Sequence, residues 1–124
     1  MNKLILFTFS IMIMVSCGAQ TKTETETNSK PLEQIALSDS TVIVDVRTPT
    51  EYAAGHIEKS INIPLDIIET QSEQLRNYQT IITVCRSGMR SAKAKDILES
   101  LGFKNVFNGG GWQAFDEKMK KESK

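Results

Sequence analysis

With 124 residues, the chain has room for one domain with a modest core and for no second one. Hydrophobic residues make up 40% and charged residues 24%, as in an ordinary soluble domain, and fifteen basic side chains cancel fifteen acidic ones. Nucleic-acid binding therefore lacks its electrostatic footprint, and one histidine with no Cys/His cluster leaves no metal site to propose.

The chain opens MNKLILFTFSIMIMVSC. Lys3 supplies a positive start and Leu4 to Val15 an apolar run, shorter than the roughly 20 residues of a spanning helix, so residues 1–16 read as a signal peptide. The closing Val-Ser-Cys-Gly resembles the bacterial lipobox, with Met14 a departure from the aliphatic residue usual there. That resemblance implies that Cys17 is lipidated and becomes the first residue of the mature chain; the alternative is a simple secreted chain in which Cys17 is incidental. The following GAQTKTETETNSK has Ala19 as its one apolar side chain and cannot bury enough surface to offset its ordering entropy. Residues 17–30 are thus expected to be a lipidated, disordered tether with a reach of roughly 20 Å by random-coil scaling. The expected location is the bacterial cell envelope, lipid-anchored on a periplasmic or other extracytoplasmic face, with residues 31–124 as the domain.

TVIVDV, Thr41 to Val46, is β-branched and nearly all apolar, as befits a strand covered on both faces. Next, Thr48 can serve as N-cap, Pro49 takes the first helical position, and Glu51 falls where a capping box places its acid. Gly55 is expected to close this helix in a left-handed conformation. SINIP is a short strand stopped by Pro64, and a short helix is expected around Ser72 to Arg76. TIITVC is a further strand. From Arg90 onward Ala94, Ile97, Leu98 and Leu101 follow the spacing of a half-buried helix, which Gly102 ends. NVF is a last short strand, and the glycines 109–111 precede an amphipathic WQAFDEKMK. Strands alternating with helices predict an α/β domain with a parallel sheet and helices on both faces.

Ligands of such sheets sit at the carboxyl ends of strands, where Cys85 falls. If CRSGMR wraps from strand end to helix start, its backbone N–H groups converge and the helix N-terminus adds partial positive charge. Gly88 permits the curl. The Cys85 thiolate is the first anion such a cradle stabilises, and an oxyanion substrate, met by Arg90 or Arg86, is the second. Arg90, Lys93 and Lys95 crowd the first turns of a helix, where each cation costs about 0.3–1 kcal/mol. The lysines read as a solvated face. Arg90 reads as functional, because the helix-end rule is broken there without visible compensation.

VIVDVRTPTEYAAGHIEKSINIP followed by CRSGMRSAKAKDILESLGFKNVFNGGGWQAF resembles the single-domain rhodanese (thiosulfate sulfurtransferase-like) family over nearly all of residues 40–115. The resemblance implies a five-stranded parallel sheet flanked by helices on both faces. It also implies a reaction without cofactor, in which Cys85 takes the outer sulfur of a small anionic donor, thiosulfate or a persulfide, and passes it to a thiol or cyanide acceptor. The loop of Arg86, Ser87, Gly88, Met89 and Arg90 would cradle the persulfide and the substrate oxyanion, and the protein is expected to act as a monomer. Glu58-Lys59-Ser60 replaces the family's usual Pro-Gly-Ala, and Phe115 stands where Trp is usual; both read as packing changes.

Asp45 and Arg47 end a neighbouring strand, where they support the site more readily than they act in it. Arg47 is placed to pair with Glu51, and Asp45 to accept from loop N–H groups. His56 reads as structural, since a thiolate held by a backbone cradle needs no base, and Trp112 and Phe115 read as packing for the last helix. Cysteine phosphatases use a similar cradle but space Cys and Arg by five residues, whereas four separate Cys85 from Arg90. The alternative from another class is a non-catalytic rhodanese-like binding module at the envelope, although such modules often lack the cysteine or the loop arginine.

Overall fold

Thr41–Asp45 (β1), Ile61–Asn62 (β2), Thr80–Cys85 (β3) and Val106–Gly111 (β4) form one sheet in the order β2-β1-β3-β4, with every neighbouring pair parallel. The computed structural model describes residues 30–124, so the expected signal peptide, Cys17 and the tether up to residue 29 lie outside the described residues. Five helices connect or flank the strands: Leu32–Ala36 (α1), Pro49–Ala54 (α2), Ile68–Gln71 (α3), Met89–Ser100 (α4) and Trp112–Glu122 (α5).

Strand alternation divides the apolar side chains between two cores. Val42, Val44, Val46, Ile81 and Cys85 pack with Ile68 of α3 and with Ala94 and Leu98 of α4. Ile43, Ile82 and Val84 face the other way, onto Phe115 and Met119 of α5, with Leu32 and Ala36 of α1 against them. Helices therefore cover both faces, which is why β1 and β3 read as continuous apolar runs rather than alternating ones.

The expected five-stranded sheet is corrected to four strands among the described residues. Ahead of β1 the chain passes Pro31 into α1, whose Leu32 and Ala36, four apart, share one helical face and pack on the α5 side. β4 is longer than the expected NVF and runs on through the glycines to Gly111. It carries a bulge: Thr83 pairs with Asn108 but Val84 with Gly110, leaving Gly109 extra. A Cβ on Gly109 would come within 2.9 Å of both Ile82 Cγ2 and Val84 Cγ1, so the bulge accepts no side chain. Between β2 and β3, two 3₁₀ turns, Leu65–Ile67 and Ser72–Asn77, flank α3; the second is the short helix expected there.

The α2 capping box forms as expected, with the Thr48 Oγ1 accepting from the Glu51 N–H. Gly55 departs from expectation, because its backbone is extended (φ 161°) rather than left-handed; it lets the Trp112 ring lie close, 3.2 Å from where a Cβ would be. Arg47 also departs. It pairs with Asp45, Nη2 to Oδ2 at 2.6 Å, and not with Glu51. Its Nη2 also donates to the Gly55 carbonyl at 2.7 Å, and its guanidinium lies 4.7 Å from the Trp112 ring centroid. Asp45 is fully buried and accepts the Arg47 backbone N–H as well, so this pair locks the turn leaving β1. Removing one partner of a buried pair strands the other charge. Arg47→Met should therefore lower stability by about 3–5 kcal/mol, read from urea unfolding midpoints. Arg47→Lys should recover only part of it, since an ammonium cannot fork onto Asp45 and Gly55 together.

Candidate active site

β3 ends on Cys85 because the chain turns there: Gly88 takes φ 96°, a left-handed conformation, and α4 starts at the next residue. A side chain at Gly88 would also crowd Gly110, whose Cα would lie 3.3 Å from the added Cβ. The turn brings the Gly88 N–H to 3.0 Å from Cys85 Sγ, and the Ser91 hydroxyl to 3.4 Å. Cys85 is 1% exposed, so its sulfur is the floor of a cup whose rim is the exposed Arg86, Ser87 and Met89. Burial pushes the Cys85 thiol up, but the Ser91 hydroxyl and the backbone N–H groups of Ser91, Ser87 and Gly88 outweigh it, and the thiol rests below its ordinary value.

The curl, the converging N–H groups and the thiol at their centre agree with the sequence. Arg90 differs. Instead of facing an open anion position, its Nη1 and Nη2 donate to the two carboxylate oxygens of Glu51 at 2.8 and 2.9 Å. The cation at the N-terminus of α4 thus has its compensation, supplied by α2, which lies 39 residues earlier in the chain. Arg86 is exposed and makes no ion pair among the described residues. Beside it opens a cavity of about 300 Å³ lined by Arg47, Glu51, Ala54, Arg86, Trp112 and Gln113. Asp45 and Arg47 do not touch the sulfur; their contribution is the wall that carries Trp112.

Lys93 is exposed and Lys95 pairs with Glu99, as suits a solvated face. The partner of His56 is Tyr52, not the cup: the two rings stack with centroids 3.8 Å apart, and His56 Nδ1 lies 2.8 Å from the Tyr52 carbonyl. Phe115 is buried beneath the sheet. Sequence reasoning missed three residues of the site. Glu51 was visible only as a cap and as an expected partner of Arg47, Ser91 only as the first residue past the loop, and Asn108 not at all. Asn108 reaches the loop from β4, in register with Thr83 and just before the bulge, accepting from Ser91 Oγ at 2.6 Å and donating to the Gly88 carbonyl at 3.2 Å.

The cup at the carboxyl end of a central parallel strand, with this order of elements, defines the class. Residues 28–118 match the model of the rhodanese-like domain, and the chain belongs to that family. Its relatives include a mitochondrial protein of Schizosaccharomyces pombe provisionally named a thiosulfate sulfurtransferase, 39% identical over 95 aligned residues that cover 65% of this chain and 67% of that one. The thiosulfate sulfurtransferase PspE of Escherichia coli is 34% identical over 70 residues, 55% of this chain and 67% of its own. Among solved structures, a rhodanese with anions from E. coli superposes with a TM-score of 0.56 at 32% identity, covering 59% of this chain and 88% of that one.

Glu51 holds its proton far more weakly than an ordinary carboxyl, first because Arg90 donates to it and then because the Thr48 backbone does. A depressed carboxyl stabilises the fold fully above its ordinary value of 4.5, and that contribution is lost as pH falls below it. Glu51→Gln keeps the cap but not the charge. Its unfolding midpoint should therefore lie below wild type by a constant gap at neutral pH, and the gap should close progressively under pH 4.5. A gap independent of pH would mean that the ion pair with Arg90 does not act on stability.

Proposed function

We propose that the protein is a sulfurtransferase that moves a sulfane sulfur from thiosulfate or a persulfide to a thiophilic acceptor through a persulfide on Cys85. The observation that carries this reading is the thiol at the floor of a short loop, with the Gly88 N–H 3.0 Å from Sγ and only the loop rim open to solvent. A cup of this depth suits a terminal sulfur, and a loop with four residues between Cys85 and Arg90 suits it better than a tetrahedral phosphate. The names borne by relatives from S. pombe and E. coli support the same chemistry.

In the first step the Cys85 thiolate attacks the outer sulfur of thiosulfate. A bond forms between Sγ and that sulfur, the bond to the sulfonate breaks, and sulfite leaves with the electron pair. The terminal sulfur of the resulting persulfide carries the negative charge and takes the place of the thiolate among the N–H groups of the loop. In the second step an acceptor thiolate or cyanide attacks that terminal sulfur, and the bond to Sγ breaks to restore the Cys85 thiolate. Arg86, exposed at the rim, is the cation that meets the donor's oxygens. Arg90, tied to Glu51, adds its field to the cup and fixes α4 against α2. The groups assigned to the cycle all lie in one domain, which supports action as a monomer.

Incubation with thiosulfate should load one cyanide-labile sulfur per domain, and Cys85→Ser should abolish the loading. A wild-type chain that takes sulfur from no donor tested, yet captures a protein partner, would favour the binding-module reading. The leader-like residues 1–16 and Cys17 extend the proposal to place: a lipid-anchored protein at a bacterial envelope, the domain facing the periplasm or another extracytoplasmic space. Mass spectrometry of membrane-extracted protein should find a chain starting at an acylated Cys17; an unmodified Cys17 in a soluble chain would reject the anchor.

A further inference from the structure

We propose that Asn108 is a positioning residue which competes with the Cys85 sulfur for the single hydroxyl proton of Ser91, and so sets how readily the thiol ionises. The carboxamide orientation is not free. Its Oδ1 accepts the Gly110 N–H at 2.9 Å, and its Nδ2 donates to the Gly88 carbonyl at 3.2 Å. Flipping it would set an amine against an N–H and an oxygen against an oxygen. The atom 2.6 Å from Ser91 Oγ is therefore Oδ1, which has no proton to give, and Ser91 must be the donor.

Ser91 has one proton. With that proton on Asn108, Ser91 Oγ can only accept at its 3.4 Å contact with Cys85 Sγ, so the resting thiol donates its own proton to Ser91. The relay runs from Cys85 S–H to Ser91 O–H to Asn108 Oδ1. Once Cys85 loses its proton to solvent, Sγ can only accept. Ser91 then rotates its hydroxyl onto the sulfur and leaves Oδ1 with the Gly110 N–H alone. The stabilising hydroxyl bond to the thiolate thus comes at the cost of a short bond to Asn108, and Asn108 holds the site toward the thiol. Strand alternation gives Asn108 this place: it pairs in regular register with Thr83 and shares a face of β4 with Val106, and the extra residue Gly109 comes after it.

The charged groups on the elements around the cup stay the same whether Asn108 is present or not. They are Arg90 at the start of α4, Asp45 at the end of β1 with Arg47 paired to it, Arg86 on the loop, and Glu51 on α2, already bound to Arg90. β4 contributes no titratable side chain. Asn108 also braces the Gly88 carbonyl, so the relay is reported by a lowered Cys85 midpoint that disappears in the Ser91→Ala background. The relay gains its purpose from the sulfurtransferase reading, because it couples the hydroxyl to the appearance of the nucleophile; its titration is measurable without any sulfur donor.

The test is iodoacetamide alkylation of Cys85 in the full chain as a function of pH, read by peptide mass mapping so that Cys17 does not contribute. Asn108→Leu should free the Ser91 proton and lower the titration midpoint by about one pH unit, roughly a tenfold gain in alkylation rate below the midpoint. Ser91→Ala should raise the midpoint, and the double variant should titrate like Ser91→Ala. An unchanged or raised midpoint in Asn108→Leu overturns the proposal, as does a double variant that falls below Ser91→Ala. Should Asn108→Leu fail to fold, the Gly110 amide proton resonance decides in wild type. It should shift with the Cys85 midpoint as Ser91 leaves Oδ1, and the shift should vanish in Ser91→Ala. A Gly110 signal that does not move, or moves equally in both, overturns the relay. A chain inert to every sulfur donor that shows this titration pattern would reject the sulfurtransferase reading and leave the relay standing.

Discussion

One carboxylate holds the site together. Glu51 accepts the Thr48 backbone N–H and hydroxyl at 3.0 Å each, which starts α2, and receives both Nη groups of Arg90, which starts α4. Two helices that leave neighbouring strands are thereby joined at their first turns, on either side of the cup. The arrangement also resolves an electrostatic conflict. An arginine at a helix N-terminus opposes the helix dipole, and an acid at the same place complements it. Glu51 meets the dipole of its own helix and cancels the charge that troubles the other. Both groups are about one-third exposed, so the bond's worth lies in its bidentate geometry more than in its Coulomb energy.

Around this clasp the site is built in shells of decreasing polarity toward the core. Arg86, Ser87 and Met89 form an exposed rim, N–H groups of the loop form the wall, and a buried thiol at the edge of the core that holds Val44, Val46 and Ala94 forms the floor. Such a floor opposes ionisation by desolvation, and only dipoles fixed in advance can offset it. Those dipoles are held from outside the loop. Thr83 Oγ1 donates to the Ser91 carbonyl at 2.8 Å, and Asn108 to that of Gly88. β4 thus does more than complete the sheet; its Asn108, in register with Thr83 just before the bulge, brings a polar side chain to the underside of the loop. The buried Asp45–Arg47 pair plays the corresponding part for the wall bearing Trp112.

Much of this was legible in the residues. The β-branched runs at Thr41 and Thr80 found their strands, Thr48-Pro49-Thr50-Glu51 found its helix start, and Cys85 to Gly88 found its turn, because each signal acts within a few residues of itself. The errors share the opposite property. Gly55 looked like a left-handed stop, but its backbone is extended, with Trp112 of α5 packed close against it and its carbonyl taken by Arg47. Arg47 looked like a partner for Glu51, four residues on along the helix register, yet the acid two residues behind it on the strand was nearer once both were buried. The expected five strands are four among the described residues, where the segment ahead of β1 is the helix α1 with Leu32 and Ala36 packed on the α5 side.

By itself the sequence determined the parallel α/β layering, the thiol at a strand end, the glycine-dependent curl and the family to which they belong. These follow from side-chain period, turn chemistry and local spacing, which need no knowledge of neighbours distant in the chain. Only the tertiary structure decided what each charge and hydroxyl faces: Glu51 on Arg90 across 39 positions, and Ser91 between Cys85 and the Asn108 that strand pairing sets opposite Thr83. Hydrogen bonds and ion pairs are short-ranged and directional, so a shift of one residue in strand register is enough to make or remove them.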